Sequence, residues 1–174
     1  MRNKKQQSVS VSSPMDTALK YLTGRARTVR EVEYHLDSCH YAEYDVYATV
    51  ERLKELDYLN DAKYAKEFIE TRLATKPISK RRLFEQLLKH EIDTDIIKEA
   101  LLLIDDETEQ NNAIATAEKF YAQFADRDEK QRKDRTASRL KSRGYDYSTI
   151  RIAMEKVSNS VEFNIDDSSE DYYE

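Results

Sequence analysis

The densest run of one charge is Arg127, Lys130, Arg132, Lys133, Arg135, Arg139, Lys141 and Arg143, interrupted only by Asp128, Glu129 and Asp134. Arg132, Arg135 and Arg139 stand at i, i+3 and i+7, so on a helix they share a face, and Lys141 and Arg143 carry the charge toward its carboxyl end. Clustered cations of this kind steer and position phosphates or acidic groups on a partner. A second basic group is Lys76, Lys80, Arg81, Arg82 and Lys89. Lys80, Arg81 and Arg82 fall in the first turn of a predicted helix, where the dipole favours acids; each placement costs a few tenths of a kcal/mol. Either a partner selects them or they balance Glu85.

The remaining reactive residues do not assemble into chemistry. His35 and Cys39 are spaced i, i+4 with His40 adjacent, but no third and fourth donor follows at matching spacing, so no metal is expected. Cys39 has no base and orienting group that the sequence can place beside it. Paired acids such as Asp105 with Asp106 and Asp166 with Asp167 reflect the abundance of acids, and they mark no acid–base site. Gly24 and Gly144 are the only glycines, which excludes glycine-rich phosphate-cradling loops. The expectation is a binding protein with no catalytic residue, metal or cofactor. Of the twelve tyrosines, Tyr41 and Tyr145 read as packing residues, whereas Tyr34, Tyr44 and Tyr47 are free to face a partner.

The elements that must position these residues are helical. The 174 residues contain 36% charged side chains, against roughly 25% in ordinary globular domains. Two glycines and two prolines are too few for a fold of many strands and tight turns. The longest uninterrupted apolar run, Ala100 to Ile104, is far short of the roughly 20 residues a membrane-spanning helix needs. No secretory signal is read at the amino terminus, and the single cysteine forms no internal disulfide, so a reducing cytoplasm is expected. The net charge of −5 is uneven: six acids and no base fall in residues 158–174, leaving the rest of the chain close to neutral.

From Met15 to Val157 the apolar pattern is helical, as in Val46, Val50 and Leu53, or Ala113, Ala117, Phe120 and Phe124. Thr28 with Glu31 fits a capping box, the cap alone being worth about 1 kcal/mol. Asp61, Ser79, Asp93, and either Asp146 or Ser148 offer further caps, and Pro77 ends the helix before it. About nine helices are expected: 15–24, 28–38, 43–57, 61–75, 79–90, 93–104, 107–125, 128–142 and 147–157. Aligning Leu36, Tyr41 and Val46 with Leu87, Ile92 and Ile97, and with Leu140, Tyr145 and Ile150, repeats one spacing at offsets of 51 and 53 residues. Thr28 and Ser79 are also 51 apart, so the cap moves with the core. The predicted fold is therefore all-α, three tandem three-helix modules at 15–57, 58–105 and 106–157 stacked as an elongated curved rod. Residues 1–14 and the acidic tail 158–174 are expected to be disordered. The tail is also placed to fold back on the basic third module and compete with a partner.

Four stretches carry a resemblance. Leu56-Asp57-Tyr58-Leu59-Asn60-Asp61-Ala62-Lys63-Tyr64-Ala65 resembles the junction between the first two modules of the RecX family, regulators of the RecA recombinase. Leu22-Thr23-Gly24-Arg25-Ala26-Arg27-Thr28 with Glu31, Val32 and Leu36 resembles the family's opening motif. Arg81-Arg82-Leu83 with Leu87 resembles its middle motif, and Arg139-Leu140-Lys141-Ser142-Arg143-Gly144-Tyr145 its closing one. Where the family commonly has glycine, this chain has Asp57, Ser79 and Glu91; only Gly144 keeps the type.

The resemblance implies a cytoplasmic, non-enzymatic regulator of recombination, DNA repair and the SOS response. Such a protein lies in the groove of the RecA–DNA filament and restrains ATP hydrolysis, strand exchange and co-protease activity. A monomer with no membrane partner is expected. The alternative reading is a stand-alone protein that binds single- or double-stranded DNA through the basic faces of helix-turn-helix-like modules. The contact residues expected on either reading are Lys76, Lys80, Arg81, Arg82, Lys89, Arg132, Arg135, Arg139, Lys141 and Arg143.

Overall fold

The computed structural model describes residues 12–166, with side chains through Ser158. Among the described residues the chain forms nine α-helices and no strand. They are α1 (Pro14–Leu22), α2 (Val29–Ser38), α3 (Glu43–Glu55), α4 (Asp61–Thr75), α5 (Lys80–Lys89), α6 (Thr94–Leu101), α7 (Asp106–Gln123), α8 (Glu129–Ser142) and α9 (Tyr147–Asp166). They follow the expected series, three to each module. α6 stops short of its expected end, and residues 102–104 form a turn instead. Residues 158–166, expected to open a disordered tail, continue α9, whereas residues 1–11 and 167–174 lie outside the described part of the chain.

Contacts divide the chain into two compact units whose border falls inside α4. The first runs to Tyr64 and also takes in His90–Ile92; the second holds Ala65–Lys89 and everything from Asp93 onward.

In the first unit, Ala18, Val32, Leu36, Val46, Val50, Leu53 and Leu59 form the core, with Met15, Leu19, Val29 and Tyr41 packed on it. Val32 and Leu36 lie one turn apart, as do Val46, Val50 and Leu53, so each helix turns a single stripe inward. Tyr41 packs as expected, and its hydroxyl is satisfied at the rim by Thr17 Oγ1 at 2.8 Å and the Ser12 carbonyl at 2.6 Å.

Thr28 caps α2 with the full reciprocal box. The Glu31 amide donates to Thr28 Oγ1 at 3.2 Å, and Glu31 Oε2 accepts from the Thr28 amide at 3.4 Å. Thr28 Oγ1 also donates to the His90 carbonyl at 3.1 Å, and the side chain is fully buried. Glu31 Oε1 lies 3.2 Å from His90 Nδ1, and Tyr34 Oη donates to Glu91 Oε2 at 3.0 Å, so residues 90–92 are pinned to α2.

Asp61 corrects the expected cap of α4. It lies within the helix, and Asn60 Oδ1 accepts from the Lys63 amide at 2.9 Å as the N-cap. Asp61 Oδ1 instead accepts from the Val29 amide at 2.9 Å, giving one of the otherwise unpaired N–H donors at the start of α2 its acceptor.

In the second unit, Ala113, Ala117, Tyr121, Leu140, Tyr145, Ala153 and Val157 form a core between α7, α8 and α9. Leu83, Leu87, Ile97 and Ala100 are buried on α5 and α6. Tyr145 is 3% exposed, and its burial pushes the phenol up to about 12. Caps follow the sequence: Ser79 Oγ accepts from the Arg82 amide at 3.1 Å, and Asp146 rather than Ser148 caps α9 through the Thr149 amide at 2.7 Å. Asp105 caps α7 through the Thr108 amide at 2.6 Å, and the Thr108 side-chain hydrogen bond, followed by this backbone one, holds its carboxyl below the usual range.

Candidate binding surface on α5 and α8

The two basic groups, whose nearest members Lys89 and Arg127 are 38 positions apart in sequence, meet at one place in the second unit. The Ser79 amide donates to the Arg143 carbonyl at 3.1 Å, so the first turn of α5 abuts the last turn of α8. Gly144 makes this approach possible. Its φ is +89°, and a Cβ there would stand 2.6 Å from Ser79 Oγ and 2.9 Å from Arg82 Cβ. The contact also answers the placement of Lys80, Arg81 and Arg82. Cations are unfavourable at the start of α5, but here they face the negative end of the α8 dipole, and carboxylates flank them.

Those carboxylates separate the two groups chemically. Lys80 Nζ lies 2.8 Å from Asp106 and 4.0 Å from Glu109, while the Lys80 amide donates to Glu109 Oε1 at 2.9 Å. Arg82 pairs with Glu85 at 2.8 Å, and Arg81 approaches the same carboxylate at 3.9 Å. Lys76 and Lys89 are exposed. Most of the charge in the middle group is thus matched within the chain.

On α8 the arrangement differs. Arg132 lies over the Tyr121 ring at 3.7 Å and its Nε donates to the Tyr121 carbonyl at 2.6 Å, so this half-buried side chain braces α8 on α7. Arg135 sits over Phe124 at 5.9 Å, and Arg139 and Arg143 sit over Phe120 at 5.7 and 4.6 Å. Phe120 and Phe124 stack on each other, 6.3 Å between centroids. Among the described residues no carboxylate lies within 4.0 Å of Arg135, Arg139, Lys141 or Arg143. Arg135, Arg139 and Lys141 are exposed and Arg143 is half-buried. Burial, followed by the Arg139 charge, lowers the pKa of Arg143, which remains a cation at any physiological pH. Its Nε is buried with no acceptor among the described residues.

The sequence pattern located the cations but not their seats. Phe120 and Phe124, noticed only as an apolar stripe, support three of them. The signal was present, because aromatic residues at i and i+4 on one helix precede an arginine series with similar spacing on the next.

The other candidates are placed elsewhere. Tyr44 and Tyr47 are 78% and 66% exposed on α3, whereas Tyr34 is engaged by Glu91 and by Arg30, 4.9 Å over its ring. The His35 ring stacks on Tyr21 at 4.0 Å and Cys39 is exposed at the end of α2; no three potential metal donors gather among the described residues. No helix among the described residues is long and apolar enough to cross a membrane.

The chain is similar to proteins already known. The family model for the second three-helix domain of RecX matches residues 60–101. The chain is 29% identical over 147 residues to the regulatory protein RecX of Bacillus subtilis strain 168, and 28% identical over 146 residues to that of Lactobacillus gasseri. Each match takes in 84% of this chain but only 56% and 54% of those relatives, so the chain spans little more than half their length. It is 26% identical to the crystal structure of RecX from Lactobacillus salivarius, with a TM-score of 0.74 over 83% of this chain and 94% of that one. A second crystal structure of a regulatory protein RecX, 20% identical with a TM-score of 0.70, shares the fold. The repeat, the motifs and the helical architecture agree with these likenesses: the chain is similar to regulatory proteins RecX over 84% of its length, and residues 60–101 match the second three-helix domain of that family.

Proposed function

We propose that the chain is a non-enzymatic regulator that binds the RecA–DNA filament and dampens its ATP hydrolysis, strand exchange and co-protease activity. The basic surface at the meeting of α5 and α8 is the contact. The observation that carries this reading is the row Arg135, Arg139 and Arg143, unmatched by any nearby described carboxylate and propped on Phe120 and Phe124. In a chain with 34 acids, cations left without partners on an ordered support are available to another molecule. The curated relatives bear the name regulatory protein RecX, which supports a regulatory role. We assign the protein to the cytoplasm as a monomer acting on this filament.

The test is co-sedimentation with preformed recombinase filaments. The chain should pellet with the filament, and the triple variant Arg135→Glu, Arg139→Glu, Arg143→Glu should remain in the supernatant at the same ionic strength. Equal pelleting of both would reject this surface. Pelleting with DNA alone to the same extent as with the filament would favour a stand-alone nucleic-acid-binding protein.

A further inference from the structure

We propose that Arg135, Arg139 and Arg143 form a comb that grips the phosphodiester backbone of one nucleic-acid strand, with Phe120 and Phe124 as its positioning residues. This inference rests on the reading of α8 as the contact surface and adds the chemistry that the surface recognises.

The spacing favours phosphates. The three arginines follow one another every four residues, a step of about 6 Å along the helix axis with only a small drift around it. That step resembles the separation of successive phosphates along an extended strand. Carboxylates on a protein surface have no such regular repeat, so an evenly stepped row of guanidinium groups matches a polymer of evenly stepped anions.

The support favours arginine over a generic cation. A planar guanidinium lying on an aromatic face keeps its N–H edges directed outward, and the ring limits the rotamers available before binding. Phe120 lies under both Arg139 and Arg143, and Phe124 lies under Arg135, so two stacked rings hold three forks in order. The half-buried Arg143 anchors the row where α8 meets the first turn of α5. A lysine at any of these positions would keep the charge but lose the planar stacking and the fork.

The experiment uses the full chain and a fluorescein-labelled oligothymidine, with no recombinase present, and follows anisotropy across a salt series. Three seated arginines give a logarithmic salt slope of about −2 on a single strand. Arg135→Gln should make that slope shallower by about 0.7. Arg139→Lys and Phe120→Leu should keep the slope while weakening binding roughly three- to tenfold, the size expected for losing a cation–π seat. Thermal melting of each variant confirms folding, and the exposed Arg139→Lys keeps the test decisive if Phe120→Leu melts early.

Three results would overturn the inference. They are absence of oligothymidine binding at low salt, unchanged affinity in both Arg139→Lys and Phe120→Leu, and competition by polyglutamate as effective as by oligothymidine. The filament assay remains separate. Co-sedimentation lost on charge reversal, with no oligothymidine binding, would reject the comb and leave the regulatory reading standing; oligothymidine binding without filament binding would do the reverse.

Discussion

The amide of Ser79 donates to the carbonyl of Arg143 at 3.1 Å, tying the start of α5 to the end of α8 across 64 residues of sequence. The first unit repeats the device with different atoms: Thr28, 51 residues before Ser79, donates its hydroxyl to the His90 carbonyl, 53 residues before Arg143. In each case a helix cap touches the carboxyl end of another module's second helix, and a left-handed residue follows the carbonyl. The left-handed residues are Glu91 at φ 56° and Gly144 at φ 89°, and His40 at φ 64° takes the equivalent position in the first module. Module periodicity is therefore written into contacts as well as into core spacing.

Gly144→Ala should destabilise the chain by about 2 kcal/mol or more, because a side chain must be forced into a left-handed position already occupied by Ser79 and Arg82. Urea unfolding checks this. A loss below about 0.5 kcal/mol would mean that the close approach is not required.

Asp57→Gly should do the opposite. Asp57 ends α3 at φ 56° with only exposed partners, Asn60 Nδ2 at 3.0 Å and Lys63 at 3.8 Å. Glycine removes the strain of a left-handed aspartate, for a gain of about 0.5–1 kcal/mol by the same unfolding measurement. A destabilised variant would contradict the assignment.

Thr28→Val should lose the cap to the Glu31 amide and the bond to the His90 carbonyl while keeping shape, costing about 2–3 kcal/mol. Thr28→Ser retains both bonds and should recover most of the loss in thermal melting. Equal losses for the two variants would show that packing, not hydrogen bonding, dominates at this site.

Asp61 makes stability depend on pH. Burial raises its pKa above the ordinary value, more than the Val29 amide lowers it. A carboxyl raised in the folded state stabilises most below its unfolded pKa, and that benefit fades as pH climbs through the folded value. Asp61→Asn keeps an acceptor for Val29 and cannot ionise, so its stability relative to wild type should rise as pH climbs from the ordinary aspartate pKa of about 3.9 through the raised folded value. A difference that does not change with pH would reject burial as the cause.

How far the sequence could be read depends on the range of the interactions involved. Helix number, the repeat, the Thr28 and Ser79 caps, and the packing role of Tyr41 and Tyr145 were legible, because they are set by residues within a turn or two of each other. The glycine departures were partly legible. Asp57 and Glu91, two of the positions where the resembled family has glycine, hold left-handed backbone; the third, Ser79, is the N-cap that its place in the sequence suggested, and left-handed His40 had no such signal. The role of Asp61 was misread because the group that recruits it, the Val29 amide, lies 32 residues away in sequence. For the same reason, the charges on Lys80 and Arg139 look alike in sequence. Their difference comes from Asp106 and Glu109 beside one and Phe120 beneath the other.

The central claim is tested most directly by titrating the chain into preformed recombinase filaments while following ATP turnover. The account predicts that turnover falls as the chain approaches or remains below equimolar ratio to the recombinase, and that reversing Arg135, Arg139 and Arg143 to glutamate abolishes most of the effect. A turnover rate that stays flat across the whole titration, or that falls equally with the reversed variant, would contradict it.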